Sequence, residues 1–100
     1  MVNQKLKKMK VRLKHLQKEL RNIGPIMRGS VVYIGSVYKK YYFSVSMCKK
    51  TQIIYLGRQR AKYAKEYADN YKKLLDIIEE MTIIYMKLMK KKVLFNAFFS

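Results

Sequence analysis

The spacing of apolar residues changes twice along this chain, from a helical period to a period of two and back, and that order leaves few folds open. Between residues 5 and 23, Leu6, Met9, Leu13, Leu16, Leu20 and Ile23 recur at alternating steps of three and four. That is a heptad seam, which predicts a helix with one narrow apolar stripe over residues 1–23. Lys7, Lys8, Lys10, Arg12, Lys14, Lys18 and Arg21 fill its other positions. Asn22, Gly24 and Pro25 end it, a residue tolerant of left-handed geometry followed by a proline that cannot continue a helix.

Residues 30–56 are β-branched and aromatic with a period of two. Val31 to Ile34 reads as a short strand and Gly35 with Ser36 as a turn. Residues 41–47 alternate Tyr41, Phe43, Val45 and Met47 against Tyr42, Ser44 and Ser46. Lys49 and Lys50 are expected to turn the chain into a third strand, 51–56. The result is a three-stranded antiparallel sheet with one apolar face and one face of Tyr, Ser and Lys.

After Gly57 a helical period returns, predicting a long helix over 58–92. Tyr63, Tyr67, Tyr71, Leu74, Ile78, Met81, Tyr85 and Leu88 form its stripe, widened by Ile77 and Ile84. Thirty-odd residues at 1.5 Å each span about 45 Å, more than the first helix covers. The surplus predicts an antiparallel helical pair that continues into a second copy. The last stretch, 93–100, is an apolar tail with Phe95, Phe98 and Phe99. It is expected to fold back on the core, dock on another chain, or rest on a membrane surface beside Lys90, Lys91 and Lys92. The expected class is therefore α+β: one domain with an N-terminal helix, a small three-stranded antiparallel sheet and a long C-terminal helix packed antiparallel to the first.

One hundred residues allow a single domain with a small core. Half of them are hydrophobic and 13% aromatic, too many for a disordered basic tail. The single cysteine, Cys48, can form neither an internal disulfide nor a zinc cluster and points to a reducing cytosol; it reads as a small strand residue near a turn. The basic amphipathic start lacks the apolar run of an export signal, and Lys87 and Lys90 to Lys92 interrupt the only candidate membrane span. A soluble cytoplasmic protein without a membrane partner is expected.

Catalytic groups are few. His15, the only histidine, lies among lysines in the first helix, where solvation or a phosphate contact suits it better than catalysis. Asp76 and Glu80 are four apart on one helix, but no third ligand type accompanies them, so solvation or ion pairing with Lys72 and Lys73 is the simpler account. Gly24, Gly29, Gly35 and Gly57 are scattered singly, without a phosphate-binding loop. Nine tyrosines lack the Arg and His constellation of a tyrosine nucleophile. The chain is expected to be no enzyme and to hold no cofactor or metal.

What remains is charge. Residues 1–60 carry fifteen Lys or Arg against one acid, Glu19, which is +14 of the total +17. A one-signed half calls for something negative against it, first of all nucleic acid. Arg28, Lys39, Lys40, Lys49, Lys50, Arg58 and Arg60 are expected at the sheet's turns or its exit, around a face bearing Tyr42, Ser44 and Ser46. Cations around stacking or hydrogen-bonding side chains are how small sheets hold nucleic acid. Lys7, Lys8 and Lys14 of the first helix add a phosphate-facing flank. A merely solvated lysine surface is the alternative, although lysine-prone composition alone would raise acids too. With eighteen lysines to five arginines, much of the affinity should be nonspecific and salt-sensitive. Arg28, Arg58 and Arg60 are candidates for base or groove contacts, and Arg28 is equally a candidate to brace its turn through carbonyls.

The stretch Gly24-Pro25-Ile26-Met27-Arg28-Gly29-Ser30 resembles a family of small bacterial and archaeal proteins without an assigned activity, in which a basic helix leads into a Gly-Pro-x-x-Arg-Gly-Ser turn. Tyr41-Tyr42, Thr51-Gln52-Ile53-Ile54-Tyr55-Leu56 and Asn70-Tyr71-Lys72-Lys73-Leu74 are similar too, so the resemblance spans roughly residues 10–88. It implies the same helix, sheet and helix order, a prokaryotic source and an association with mobile elements. Where family members carry a Cys-Gly-Lys-x-x-Cys-x-Cys knuckle, this chain has Gly35-Ser36-Val37-Tyr38-Lys39-Lys40, so no zinc is expected. These readings favour a nonenzymatic nucleic-acid-binding protein, for DNA rather than RNA. The competing reading is an assembly, adaptor or phage-type regulatory protein that binds a protein partner or forms a homodimer through its helices and tail.

Overall fold

A computed structural model describes residues 2–90. The predicted tail, 93–100, and the last two residues of the predicted long helix lie outside the described residues. In chain order come α1 (Val2–Asn22), β1 (Ser30–Ile34), β2 (Lys40–Met47), β3 (Lys50–Tyr55) and α2 (Gly57–Lys90). The α+β class and the antiparallel sheet, in order β1-β2-β3, are as expected. Two compact units divide the chain. One combines α1 with α2 from Leu74 onward; the other is Gly24–Lys73.

In the helical unit, α1 packs antiparallel to α2 through the predicted seam. Leu13, Leu16, Ile77, Ile84 and Leu88 form its buried core, flanked by Leu6, Met9, Leu20, Ile23, Met81 and Tyr85. Leu16 and Leu88, at 1% and 0% exposure, are its most fully buried side chains. Arg12 clamps the rim with a two-pronged ion pair to Glu80, its Nη2 donating over 2.8 Å to Oε1 while its Nε donates to Oε2. That hydrogen bond, reinforced by the charges of Arg12 and His15, holds the Glu80 carboxyl below its ordinary value near 4.5. His15 Nε2 lies 3.2 Å from Glu19 one turn on.

In the sheet unit, Val31 pairs with Phe43, and Phe43 with Ile54, so Val31, Tyr33, Tyr41, Phe43, Val45, Gln52 and Ile54 share one face. The start of α2 covers it: Phe43, Leu56, Ala61 and Ala64 are buried together with Met27, Val31, Tyr41 and Val45 packed around them. The opposite face carries Val32, Tyr42, Ser44, Ser46, Thr51, Ile53 and Tyr55.

Two sequence expectations need correcting. The β2–β3 turn is Cys48-Lys49, both at positive φ (51° and 63°), while Lys50 already pairs with Met47 inside β3. The right-handed twist of a hairpin selects this two-residue primed turn, and the chain meets it without the usual glycine or asparagine. The α2 stripe keeps the predicted Ile77, Ile84 and Leu88 buried and Tyr67, Tyr71, Leu74, Met81 and Tyr85 half-buried, but departs from the prediction at two positions and gains alanines. Tyr63 and Ile78 are 60% and 46% exposed, whereas Ala61, Ala64 and Ala68 are buried. A helix lying on a sheet that already holds Phe43 needs small residues beneath it, so size overrode hydrophobicity.

The Gly24 to Ser30 segment is tied to both layers of its unit. Asn70 Nδ2 donates to the Pro25 carbonyl at 2.9 Å, Met27 N–H donates to the Tyr67 carbonyl at 3.1 Å, and Arg28 Nη2 donates to the Ser46 carbonyl at 2.9 Å. Gly29 passes so close to β2 that a Cβ there would lie 2.5 Å from the Phe43 ring and 2.7 Å from the Ser44 carbonyl.

Candidate nucleic-acid interface

The register of the sheet brings two tyrosine pairs, one on each face, and several cations to the end where α2 begins. Because Tyr33 pairs with Tyr41 and Tyr42 with Tyr55, all four reach this end. Tyr33 and Tyr41 stack with centroids 4.5 Å apart, and Tyr42 meets Tyr55 edge-on at 5.7 Å. The Leu56 N–H donates to the Tyr41 carbonyl at 2.9 Å, and Gly57 at φ 74° then turns the chain sharply into the helix.

Cations stand over two of these tyrosines, Tyr33 and Tyr55. Lys39 Nζ lies 6.0 Å from the Tyr33 centroid, Lys40 Nζ 5.8 Å and the Arg60 guanidinium 5.9 Å from that of Tyr55. Arg60 Nε also donates to the Leu56 carbonyl at 2.7 Å. Tyr33, Lys39, Lys40, Tyr41, Tyr55, Gly57 and Arg58 line a polar cavity of about 190 Å³.

Electrostatically this end is one-signed. The first turn of α2 holds Arg58 and Arg60 and no acid. Unpaired N–H groups already give a helix start partial positive charge, so guanidinium groups there are unfavourable unless an anion joins them. Phosphate satisfies both the N–H groups and the cations.

Among the expected site residues, the structure brings Lys39, Lys40, Arg58 and Arg60 together here, with Tyr42 half-buried at the edge. Lys49, Lys50 and Arg28 lie toward the other end of the sheet, about 23 Å away along β2. Arg28 spends one donor on the Ser46 carbonyl, which is the bracing role open to it from the sequence. Lys7, Lys8 and Lys14 are exposed on α1, in the helical unit. Lys7 and Lys8 line a shallow groove with Val11, Arg12 and His15.

Sequence reasoning passed over Tyr33, Tyr41, Tyr55 and Gly57. Their signal was the strand register, which sets Tyr33 across from Tyr41 two positions beyond the Val31 and Phe43 pair. Among the described residues no three His, Cys, Asp or Glu side chains gather as metal ligands, and no helix is long and apolar enough to cross a membrane. No protein-family model, curated protein or solved structure matches this chain, so the resemblance carried by Gly24 to Ser30 stands on its residues alone.

Proposed function

We propose that this chain is a nonenzymatic nucleic-acid-binding protein that grips the phosphate backbone of DNA with the basic end of its sheet. The observation that carries this reading is the cavity at the start of α2, where Lys39, Lys40 and Arg58 converge on an acid-free helix terminus. The surrounding unit, Gly24–Lys73, holds eleven Lys or Arg against Glu66 and Asp69. A phosphate seated there accepts hydrogen bonds from the cations and the helix N–H groups, while the tyrosines on the rim reach sugar or base. Lys7, Lys8 and Lys14 supply further sequence-independent attraction.

The test is a salt titration of binding to labelled duplex DNA, single-stranded DNA and structured RNA. Neutralising Lys39, Lys40 and Arg58 together with glutamine should weaken duplex binding more than about tenfold and reduce the salt slope by roughly two to three. Lys49→Gln with Lys50→Gln should cost less. Wild-type affinity and slope in the triple variant would refute the proposal.

A second reading, an assembly or adaptor protein, draws on the edge strand β3, whose Ile53, Ile54 and Tyr55 are each about half exposed. A partner of fixed stoichiometry, together with weak binding to free duplex, would favour it.

A further inference from the structure

We propose that two copies of this chain join through the outer stripe of α2, antiparallel about Thr82. Leu75, Ile78, Met86 and Met89 are 46–59% exposed. At 3.6 residues per turn they and Thr82 fall within an arc of about 80°, on a different side of the helix from buried Ile77, Ile84 and Leu88. Single exposed apolar residues are ordinary, but a stripe of four over about 21 Å of one helix, left open by the described residues, is a seam in want of a partner.

Its spacing identifies the occupant. Leu75 and Met89 lie seven residues from Thr82, and Ile78 and Met86 lie four from it. An antiparallel copy on a two-fold axis at Thr82 therefore sets Leu75 against Met89 of the second copy, Ile78 against Met86, and Thr82 against itself. Such self-complementarity is what a two-fold interface requires. Thr82 suits the centre because its hydroxyl donates to the Ile78 carbonyl at 2.7 Å, so no unsatisfied donor enters the seam.

Charge agrees with the spacing. In a chain of net charge +17, residues 74–90 hold Asp76, Glu79 and Glu80 against Lys87 and Lys90, so this is a stretch where two copies approach without repulsion. The acids Asp76 and Glu79 lie toward one end of the stripe and the lysines toward the other. Along the helix axis, antiparallel pairing brings the acidic end of one copy alongside the basic end of the other; parallel pairing would set like ends together.

Cysteine cross-linking reads the arrangement directly. The full chain carries Cys48→Ser, which removes the exposed native thiol, and is oxidised in about 0.5 M salt so that nucleic acid does not bridge copies. Thr82→Cys should give a covalent dimer at least fivefold above an exposed control, Lys62→Cys. Leu75→Cys and Met89→Cys should each stay monomeric alone and cross-link when mixed. Ile78→Asp should shift sedimentation toward monomer with helix content retained. Self-linking of Leu75→Cys equal to that of Thr82→Cys would mean parallel pairing and overturn the proposal. So would a Thr82→Cys yield no greater than the control. Cross-linking that appears only after residues 93–100 are removed would assign the stripe to the chain's own tail and overturn it as well.

Discussion

At the scale of single residues, the molecule spends its hydrogen bonds on the loop before the sheet and its strain on one turn. Pro25, Met27 and Arg28 each bond to a distant element, to Asn70, Tyr67 and Ser46. Asn70 and the Gly-Pro turn, separate stretches in sequence, are therefore one structural feature. Strain sits at Cys48 and Lys49, two residues with side chains in the left-handed region. Lys49→Gly should relieve part of it and stabilise the protein by about 0.5–1 kcal/mol, seen as a rise in thermal midpoint. The Arg12 and Glu80 pair makes a pH prediction. Arg12 lowers the folded-state pKa of Glu80, so the pair's contribution is present above the ordinary carboxylate value near 4.5 and fades as pH falls through the depressed one. The difference in thermal midpoint between wild type and Arg12→Ala should therefore persist at neutral pH and shrink in acid. A difference that does not change with pH would show that Glu80 is not what Arg12 holds.

At the scale of elements, α1 was legible residue by residue because its stripe serves a single neighbour, the part of α2 that supplies Ile77, Ile84 and Leu88. The long helix was less so because it serves two kinds of surface. Against α1 it presents large aliphatic side chains; against the sheet it presents Ala61 and Ala64, which a hydrophobicity pattern ranks below the tyrosines beside them. The consequence is testable. Ala64→Leu should cost about 1–3 kcal/mol by overpacking against Phe43 and Leu56, whereas Tyr63→Ala, one residue away and exposed, should stay within about 0.5 kcal/mol. Equal losses in chemical denaturation would return the sheet-facing side of the helix to the tyrosines. The turn at Cys48 and Lys49 was misplaced by one residue for a related reason: hairpin pairing, not residue preference, chose which positions take positive φ.

At the scale of the whole molecule, the proposed binding and the proposed assembly draw on different parts of the chain. The basic end proposed to grip phosphate belongs to the sheet unit, and the proposed two-fold seam lies on α2 within the helical unit. A dimer would carry two basic ends and gain avidity wherever one DNA molecule reaches both. Ile78→Asp should then weaken binding to long duplex more than to a duplex too short for two ends, while the Lys39, Lys40 and Arg58 triple variant weakens both. The alternation of apolar periods and the near absence of acids before Glu66 were enough by themselves to determine the element order, the antiparallel pairing and the one-signed charge of the first half, because periodicity and net charge are sums along a chain. Tertiary structure decided which cations stand together. Lys39, Lys40, Arg58 and the tyrosines meet because strand register and the Gly57 turn bring positions 33, 41 and 55 to one end, while Lys49, Lys50 and Arg28, no different in composition, are carried toward the other. Register is set by Phe43 finding its place under Ala61 and Ala64, a packing choice that local pattern does not record.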